Sequence, residues 1–499
     1  MAPEAPAGSA ADPAVRPPAT TWRSAWQAWR ISVRRILPLA WPVMVGQIAV
    51  LAFSTLDTVL VARHSAADLA ALAIGSAAYI TVFVGLMGVI MAIAPIAGRH
   101  YGAGQLDLAG DQLHQAVWLA LALALPGCAL LSWPEPFLRL AQAPPEVAAK
   151  VSAYLLGLAV ALPGSLLFTA FRGFNTAISQ PRRAMSLQLL GLGLKLPLST
   201  ALVIGVTLPG LPAALNIPSL GVVGCGIATA AAMWLQAGLA WRALRHDPLY
   251  ARFGLQQGGL HAPRRAALLA QLRLGAPMGL AILVEVTGFT FMAIFIARLG
   301  NTAVAGHQIS ANLVALLFMA SLGIANATGA LVAQDIGAGQ PARARALGWH
   351  GVALACVVAV LLGGAVTLAR VQVVSLYTAD AKIAAAALPL LVWALLFHTA
   401  DAAQTVAAFV LRAWHLATWP LIVYALAVWG LGLGGGYALA FDVGGHIPPA
   451  LHGARGFWIA TTAGLIAAAL AMAVLLAWAP RRQTASQAAA ASPAASPDA

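Results

Sequence analysis

Hydrophobic positions along the chain fall into twelve long runs, at 36–62, 69–97, 115–134, 151–171, 185–207, 220–241, 274–297, 303–333, 348–369, 383–411, 417–440 and 456–479. Polar residues cluster between the runs and are sparse within them. A helix needs about 20 mostly apolar residues to cross a bilayer, and most of these runs are long enough to span with some tilt. Pro126, Gly127 and Pro134 interrupt the third run, which makes it the weakest. Strands of a membrane barrel would be near ten residues and would alternate; these runs are twice that and apolar all round. The pattern predicts an all-α integral membrane protein with twelve transmembrane helices.

Displaced by 235 residues, the chain matches itself. LAWP at 39–42 falls on LGAP at 274–277, Ala62-Arg63 on Ala297-Arg298, and YGAGQ at 101–105 on IGAGQ at 336–340. Weaker echoes pair FRG at 171–173 with LRA at 411–413, and QP at 180–181 with WP at 419–420. Six spans per half bring the second half in from the same side as the first. Two parallel-repeat six-helix bundles about an axis normal to the membrane follow, with a cleft between them suited to alternating access. The expected division is a basic N-terminal segment (1–35), a first lobe (36–244), a linker (245–270), a second lobe (271–480) and a disordered tail (481–499).

Composition agrees with a bilayer as solvent: 61% of the 499 residues are hydrophobic and only 9% charged, against about 25% charged in soluble domains. The net charge of +13 does not point to nucleic acid, because of where the charges lie. With the N-terminus placed in the cytoplasm, 20 of the 28 Lys and Arg fall on cytoplasmic segments and seven on the other side. Lys195 alone lies inside a span. This positive-inside bias puts both termini of a multi-pass membrane protein in the cytoplasm. The excess charge then meets anionic lipid. No cleavable signal peptide is expected, since residues 1–20 have no apolar core. Trp22, Trp26 and Trp29 share one helical face, with Arg23, Arg30 and Arg34 on another; an interfacial amphipathic helix or a solvated basic tail fits that pattern. Cys128, Cys225 and Cys356 lie in apolar runs without metal-ligand spacing and read as small core residues.

Three acids sit within the spans: Asp57, Glu285 and Asp401. Each ionised group at mid-helix costs about 2.5–3.5 kcal/mol on insertion scales, so it must be neutralised, paired or wetted. Carboxylates that share a desolvated cavity hold a proton or a small cation more readily than they do in water. A cationic cargo competes for the same site, and that competition is the essence of an antiporter. His398, Asp401 and Gln404 or Thr405 recur at i, i+3 and i+6/i+7 and form one helical stripe, expected to face the cleft. His398 either tunes the aspartate or is a hydrogen-bonded structural histidine.

Several motifs in order resemble the multidrug and toxic compound extrusion (MATE) family, in its bacterial NorM-type branch, over residues 35–480. They are LDTVLVARHSAADLAALAIG from Leu56, GVVGCGIATAAAMW at 221–234, LVEVTGF at 283–289, GNTAVAGHQISANL at 300–313 and ADAAQTVAAFVLRAW at 400–414. The resemblance implies two six-helix lobes and export of organic cations driven by Na+ or H+, with no cofactor. It places the family's first-helix aspartate on Asp57, its seventh-helix glutamate on Glu285 and its tenth-helix aspartate on Asp401. Na+, if it is the coupling ion, would meet Glu285 and Asp401. The family's Ala-x-His-Gln pattern falls on His307 and Gln308, which become auxiliary candidates. One departure stands out. Where the branch often carries Asn-x-Pro on the fifth helix, this chain reads LKLPLS, with Lys195 at the asparagine position. Lys195 then either pairs with Asp57 as a tethered counter-ion, or snorkels or lines water.

Rival classes find less support. No GxxxxGK[ST] phosphate loop is present, which argues against a primary pump, although a subunit served by a separate ATPase remains compatible. HExxH and GxSxG are also missing, which argues against an intramembrane enzyme. A lipid-linked glycan flippase of the same superfamily is the nearer alternative. Three in-span acids against one lysine favour small cationic cargo, and two fused lobes make a monomer sufficient.

Overall fold

A computed structural model describes residues 22–206, 218–256 and 258–491. Among the described residues, twelve helices are long and apolar enough to cross a membrane. In the first lobe they are α1 (Trp22–Ala62), α2 (Ala66–Gly102), α3 (Leu106–Leu131), α4 (Pro145–Ala177), α5 (Pro181–Ile204) and α6 (Val222–His246). In the second they are α7 (Arg265–Ala297), α8 (Asn301–Gly337), α9 (Pro341–Leu368), α10 (Ala394–Ala413), α11 (Thr418–Ala440) and α12, whose spanning part is Ala454–Ala479. Each of these helices overlaps one of the expected apolar runs.

Four local differences from the expected pattern have physical causes. First, the basic N-terminal segment is no separate interfacial helix, because Trp22 begins one continuous 41-residue helix that becomes the first span. Nothing between Trp22 and Ile36 breaks it, and Pro38 and Pro42 are accommodated inside it. Second, α2 is bent at Met91–Ala92, between an α-helix ending at Ile90 and another starting at Ile93. Pro95 lacks the amide that would bond the Met91 carbonyl. Third, the expected run 383–411 is two helices, Ala381–Leu391 and Ala394–Ala413, broken just after the turn that holds Pro389. Fourth, the disordered tail expected from residue 481 is helical up to Ala491. Alanine is the best helix former, and the stretch is rich in it. The rest of the expected tail, 492–499, lies outside the described residues.

The internal repeat is visible as symmetric crossings between the lobes. α2 crosses α7 where a Cβ on Gly88 would meet Gly279, and α8 crosses α1 where a Cβ on Gly323 would meet Ala40 and Met44. Gly88 and Gly323, and Met44 and Gly279, are each 235 apart. Small residues let backbones approach where lipid gives no hydrophobic drive for helices to associate. At one end of the bundle a Cβ on Gly102 would collide with the Gln334 carbonyl, and one on Gly337 with the Arg99 carbonyl. These pairs obey the same displacement, so the repeated GAGQ motif marks the pseudo-twofold axis.

That end, here the basic face, is where hydrogen bonds join the lobes. Arg35 bonds both oxygens of Asp335 at 3.2 and 3.0 Å. Arg99 donates twice to the Ala413 carbonyl, at 3.0 and 2.6 Å. Gln334 donates to the Ala177 carbonyl at 2.7 Å. Beside them, burial and then the charges of Arg99 and His100 hold the loop histidine His415 down to about 4, so it stays neutral within this contact. The linker is docked too. Tyr250 and Phe253, on a 3-10 turn, are buried, and the Tyr250 hydroxyl donates to Asn175 at 2.7 Å.

Candidate functional site

A central cavity with room of about 150 Å³ for water-sized molecules lies between the lobes. Its wall draws on α1, α2 and α4 of the first lobe and on α7, α8, α10 and α11 of the second. Met87, Met91, Met278, Ile282, Phe318 and Phe409 give it a soft apolar lining, and Gln47, Thr176, Asn326, Thr405 and Tyr424 add hydrogen-bonding groups. Flexible methionines beside aromatic rings suit ligands of varied shape.

Glu285 lies on this wall, on α7. It is half-buried, and its carboxylate has no hydrogen-bond or ion-pair partner among the described residues. Asp401 is close enough on α10 to act on it electrostatically, as is Arg412. Asp401 is only 5% exposed and accepts one hydrogen bond, from Gln404 Nε2 at 2.9 Å. The same nitrogen lies 3.2 Å from Thr405 Oγ1, and Gln404 Oε1 is buried without a partner. A carboxylate, an orphaned amide oxygen and a hydroxyl form a set of hard oxygen donors that suits a small cation.

The predicted stripe His398, Asp401, Gln404, Thr405 exists, but it faces the interior of the second lobe, and only Thr405 reaches the cavity. α10 is enclosed by α8, α9 and α12, so a polar stripe on it need not look into the cleft. His398 is fully buried and neither ring nitrogen has a partner, so the hydrogen-bonded structural role is not realised. His307 is buried as well, accepting from Trp458 Nε1 at 3.2 Å, whereas Gln308 is exposed. Neither lines the cavity.

The third acid is in a different situation. Lys195 Nζ lies 2.6 Å from Asp57 Oδ2, both groups are buried, and the ammonium sits 5.0 Å from the centre of the Phe53 ring. Lys195 therefore pairs with Asp57 inside the first lobe, away from the cavity wall.

Two arginines that directly follow the apolar runs 151–171 and 383–411 belong to the cavity. Arg172 donates to Gln47 Oε1 at 2.8 Å and stands 3.5 Å from Met87 Sδ. Arg412 is 6% exposed, with its guanidinium 4.3 Å from the centre of the Phe409 ring. Each had closed an apolar run as its bounding charge. The weak FRG/LRA echo was the one signal that tied them together.

Two pseudo-symmetric six-helix lobes around a central cavity, with an unpaired carboxylate in its wall, define a membrane carrier. Comparison with known proteins names which one. The MatE family matches residues 42–200 and 277–438. A probable multidrug resistance protein NorM of Aromatoleum aromaticum is 41% identical over 442 residues, covering 89% of this chain and 93% of its own. The multidrug resistance protein PmpM of Pseudomonas aeruginosa is 32% identical, covering 91% and 93%. Among solved structures, the Vibrio cholerae MATE transporter VcmN in its bent form superposes with a TM-score of 0.79 at 17% identity, over 92% of this chain and 99% of that one. The chain belongs to the MATE family: it is a multi-pass membrane transporter and not an enzyme.

Proposed function

We propose that the protein is a multidrug efflux transporter of the bacterial inner membrane, exporting organic cations in exchange for Na+ or H+. The observation that carries this reading is Glu285, a carboxylate in the wall of the central cavity with no protein cation bonded to it and Asp401 beside it. An incoming ion and an outgoing cation satisfy the same negative charge in turn, and neither stays once the other binds. Both termini lie in the cytoplasm in this reading, so the basic face, sealed by Arg35–Asp335 and Arg99–Ala413, is the inner gate. Each cargo shifts the equilibrium between gate states only through its differential binding to them. The names of the NorM and PmpM relatives favour drug efflux over glycan flipping.

The test is ethidium uptake into everted vesicles, which is the direction of export from the cell, under an imposed Na+ or H+ gradient alone. Export driven by one of these gradients, and lost in Asp401→Asn, supports the reading. Rescue of a glycan-precursor defect without dye export would replace it with the flippase.

A further inference from the structure

α1 is 41 residues long, about 60 Å in extent and twice the ~30 Å of a hydrocarbon core. Its apolar run starts at Ile36, so the turns before it lie at headgroup depth and beyond. Arg23, Arg30, Arg34 and Trp41 stand at i, i+7, i+11 and i+18, one stripe to within about 20° of rotation, and all four are exposed. Ile48 and Val59 carry the stripe onward, 39% and 46% exposed, so it faces lipid. The opposite side of the same turns faces the protein. There Ser32 Oγ lies 2.7 Å from His350 Nδ1, and Arg35 bonds Asp335. α5 completes the patch: Arg182, in its first turn, places its guanidinium 5.5 Å from the centre of the Trp41 ring. Arg30, Arg34 and Arg182 have no hydrogen bond or ion pair among the described residues. Neither α5 nor α1 ahead of Asp57 contains an acid. By contrast, Arg183 pairs with Asp247, and Arg245, which lies over Trp241, donates to the Gly258 carbonyl. The patch is not repeated in the second lobe, since Arg34 displaced by 235 falls on Leu269 and Trp41 on Ala276.

We infer that α1 and α5 form a site for one anionic phospholipid on the basic face of the first lobe, and that the bound headgroup steadies the seal between the lobes. The lipid phosphate takes the free donors of Arg34 and Arg182, with Arg30 adding charge behind it, and an acyl chain lies along Trp41 and Ile48. A guanidinium fork matches phosphate oxygens, and tryptophan is at home at the membrane interface. Three arginines without a protein counter-charge favour an anionic headgroup over a zwitterionic one. Arg182 belongs to the first lobe, while the far side of the Arg34 turn is tied to Asp335 and His350 of the second. A headgroup that bridges Arg34 and Arg182 therefore fixes the end of α1 where it closes the basic face. The lipid favours the sealed arrangement to the extent that it binds that arrangement more tightly.

The test titrates phosphatidylglycerol or phosphatidylcholine with identical acyl chains into the purified full-length protein in detergent, and counts bound lipid by native mass spectrometry. The wild type is expected to bind its first phosphatidylglycerol about tenfold or more tightly than phosphatidylcholine. Arg34→Gln with Arg182→Gln should bring that ratio close to one, Arg182→Lys should keep part of it, and Arg245→Gln should leave it unchanged. Equal binding of the two lipids by the wild type overturns the site. So does a preference that survives in the double variant, or one that Arg245→Gln lowers as much, since binding is then diffuse attraction to a basic face. In nanodiscs, adding phosphatidylglycerol should shorten the distance between spin labels at Ala103 and Ala338 in the wild type and not in the double variant. Selective binding without that shortening overturns the link to the seal.

Discussion

The two lobes descend from one repeat, yet they treat buried acids in opposite ways. In the first, Asp57 is joined to Lys195 at 2.6 Å, out of the cavity and beside an aromatic ring. In the second, Glu285 and Asp401 neighbour each other, and no cation among the described residues is bonded to either. The acids do not occupy equivalent positions: Asp57 displaced by 235 falls on Met292, and Glu285 falls back on Val50. The scaffold and the symmetric crossings therefore follow the repeat, and the buried acids do not. The comparison teaches that a carboxylate in a spanning helix is not by itself a coupling site. What matters is whether its counter-charge is tethered or has to come from solution.

The largest effect should come from the untethered pair. Glu285→Gln with Asp401→Asn is expected to abolish gradient-driven export of a cationic dye while membrane insertion is retained, read in vesicles alongside a topology reporter. Undiminished pumping in this variant would end the proposed coupling scheme.

The tethered pair should behave in the reverse manner. Lys195→Ala leaves a carboxylate buried without its partner, and breaking a buried pair in that way typically costs about 3–5 kcal/mol. The expected readout is a large fall in thermal unfolding temperature in detergent. Replacing both members together, Asp57→Asn with Lys195→Met, removes both charges, so most of that stability and the export activity should return. If the double variant is as unstable as Lys195→Ala alone, or stable but unable to transport, Asp57 does more than pair with lysine.

These expectations mark where sequence reading stops. The twelve spans were legible because the bilayer imposes length and apolarity on every one of them, and the repeat was legible in part because Gly102 and Gly337, which open the two GAGQ motifs, leave no room for a Cβ where helix ends touch. The direction of the polar stripe on α10 was not. Periodicity places His398, Asp401 and Thr405 on one face but cannot tell a face toward the lobe interior from one toward the cleft. Arg172 and Arg412 were missed for a related reason. A charge ends an apolar window, so a cavity arginine near a helix terminus reads as a loop residue. The Lys195–Asp57 contact was readable as a candidate because a lone lysine in mid-span needs a partner, and it required coordinates to separate pairing from snorkelling.

The symmetric contact at the basic face gives a smaller and more even-handed test. Gly102 and Gly337 each leave no room for a Cβ against the carbonyl of the opposite lobe. Gly102→Ala and Gly337→Ala should therefore disfavour the sealed arrangement, each by about 1–3 kcal/mol, the usual range for overpacking. Spin labels on the repeat mates Ala103 and Ala338, both exposed, should report a longer distance in either variant. Because the lobes are equivalent here, the two substitutions should give similar shifts. A strong effect from one and none from the other would mean that the symmetry of the fold does not extend to the gate.

The smallest expected effect is at Arg35–Asp335, where no repeat-mate contact exists to share the load. Arg35 is about a quarter exposed and Asp335 is buried, and Arg343 stands 3.6 Å from the same carboxylate. A partly solvated bridge with a second cation at hand contributes on the order of 1 kcal/mol. Arg35→Gln should lengthen the Ala103–Ala338 distance only slightly in low salt. It should make almost no difference at high ionic strength, where the wild-type bridge is itself screened. Arg343→Gln added to Arg35→Gln should exceed the sum of the two single effects, since each arginine covers for the other on Asp335. Strict additivity would show that the lobes are held shut by the glycine contact and the Arg99–Ala413 bonds, and that the salt bridge is a bystander to gating.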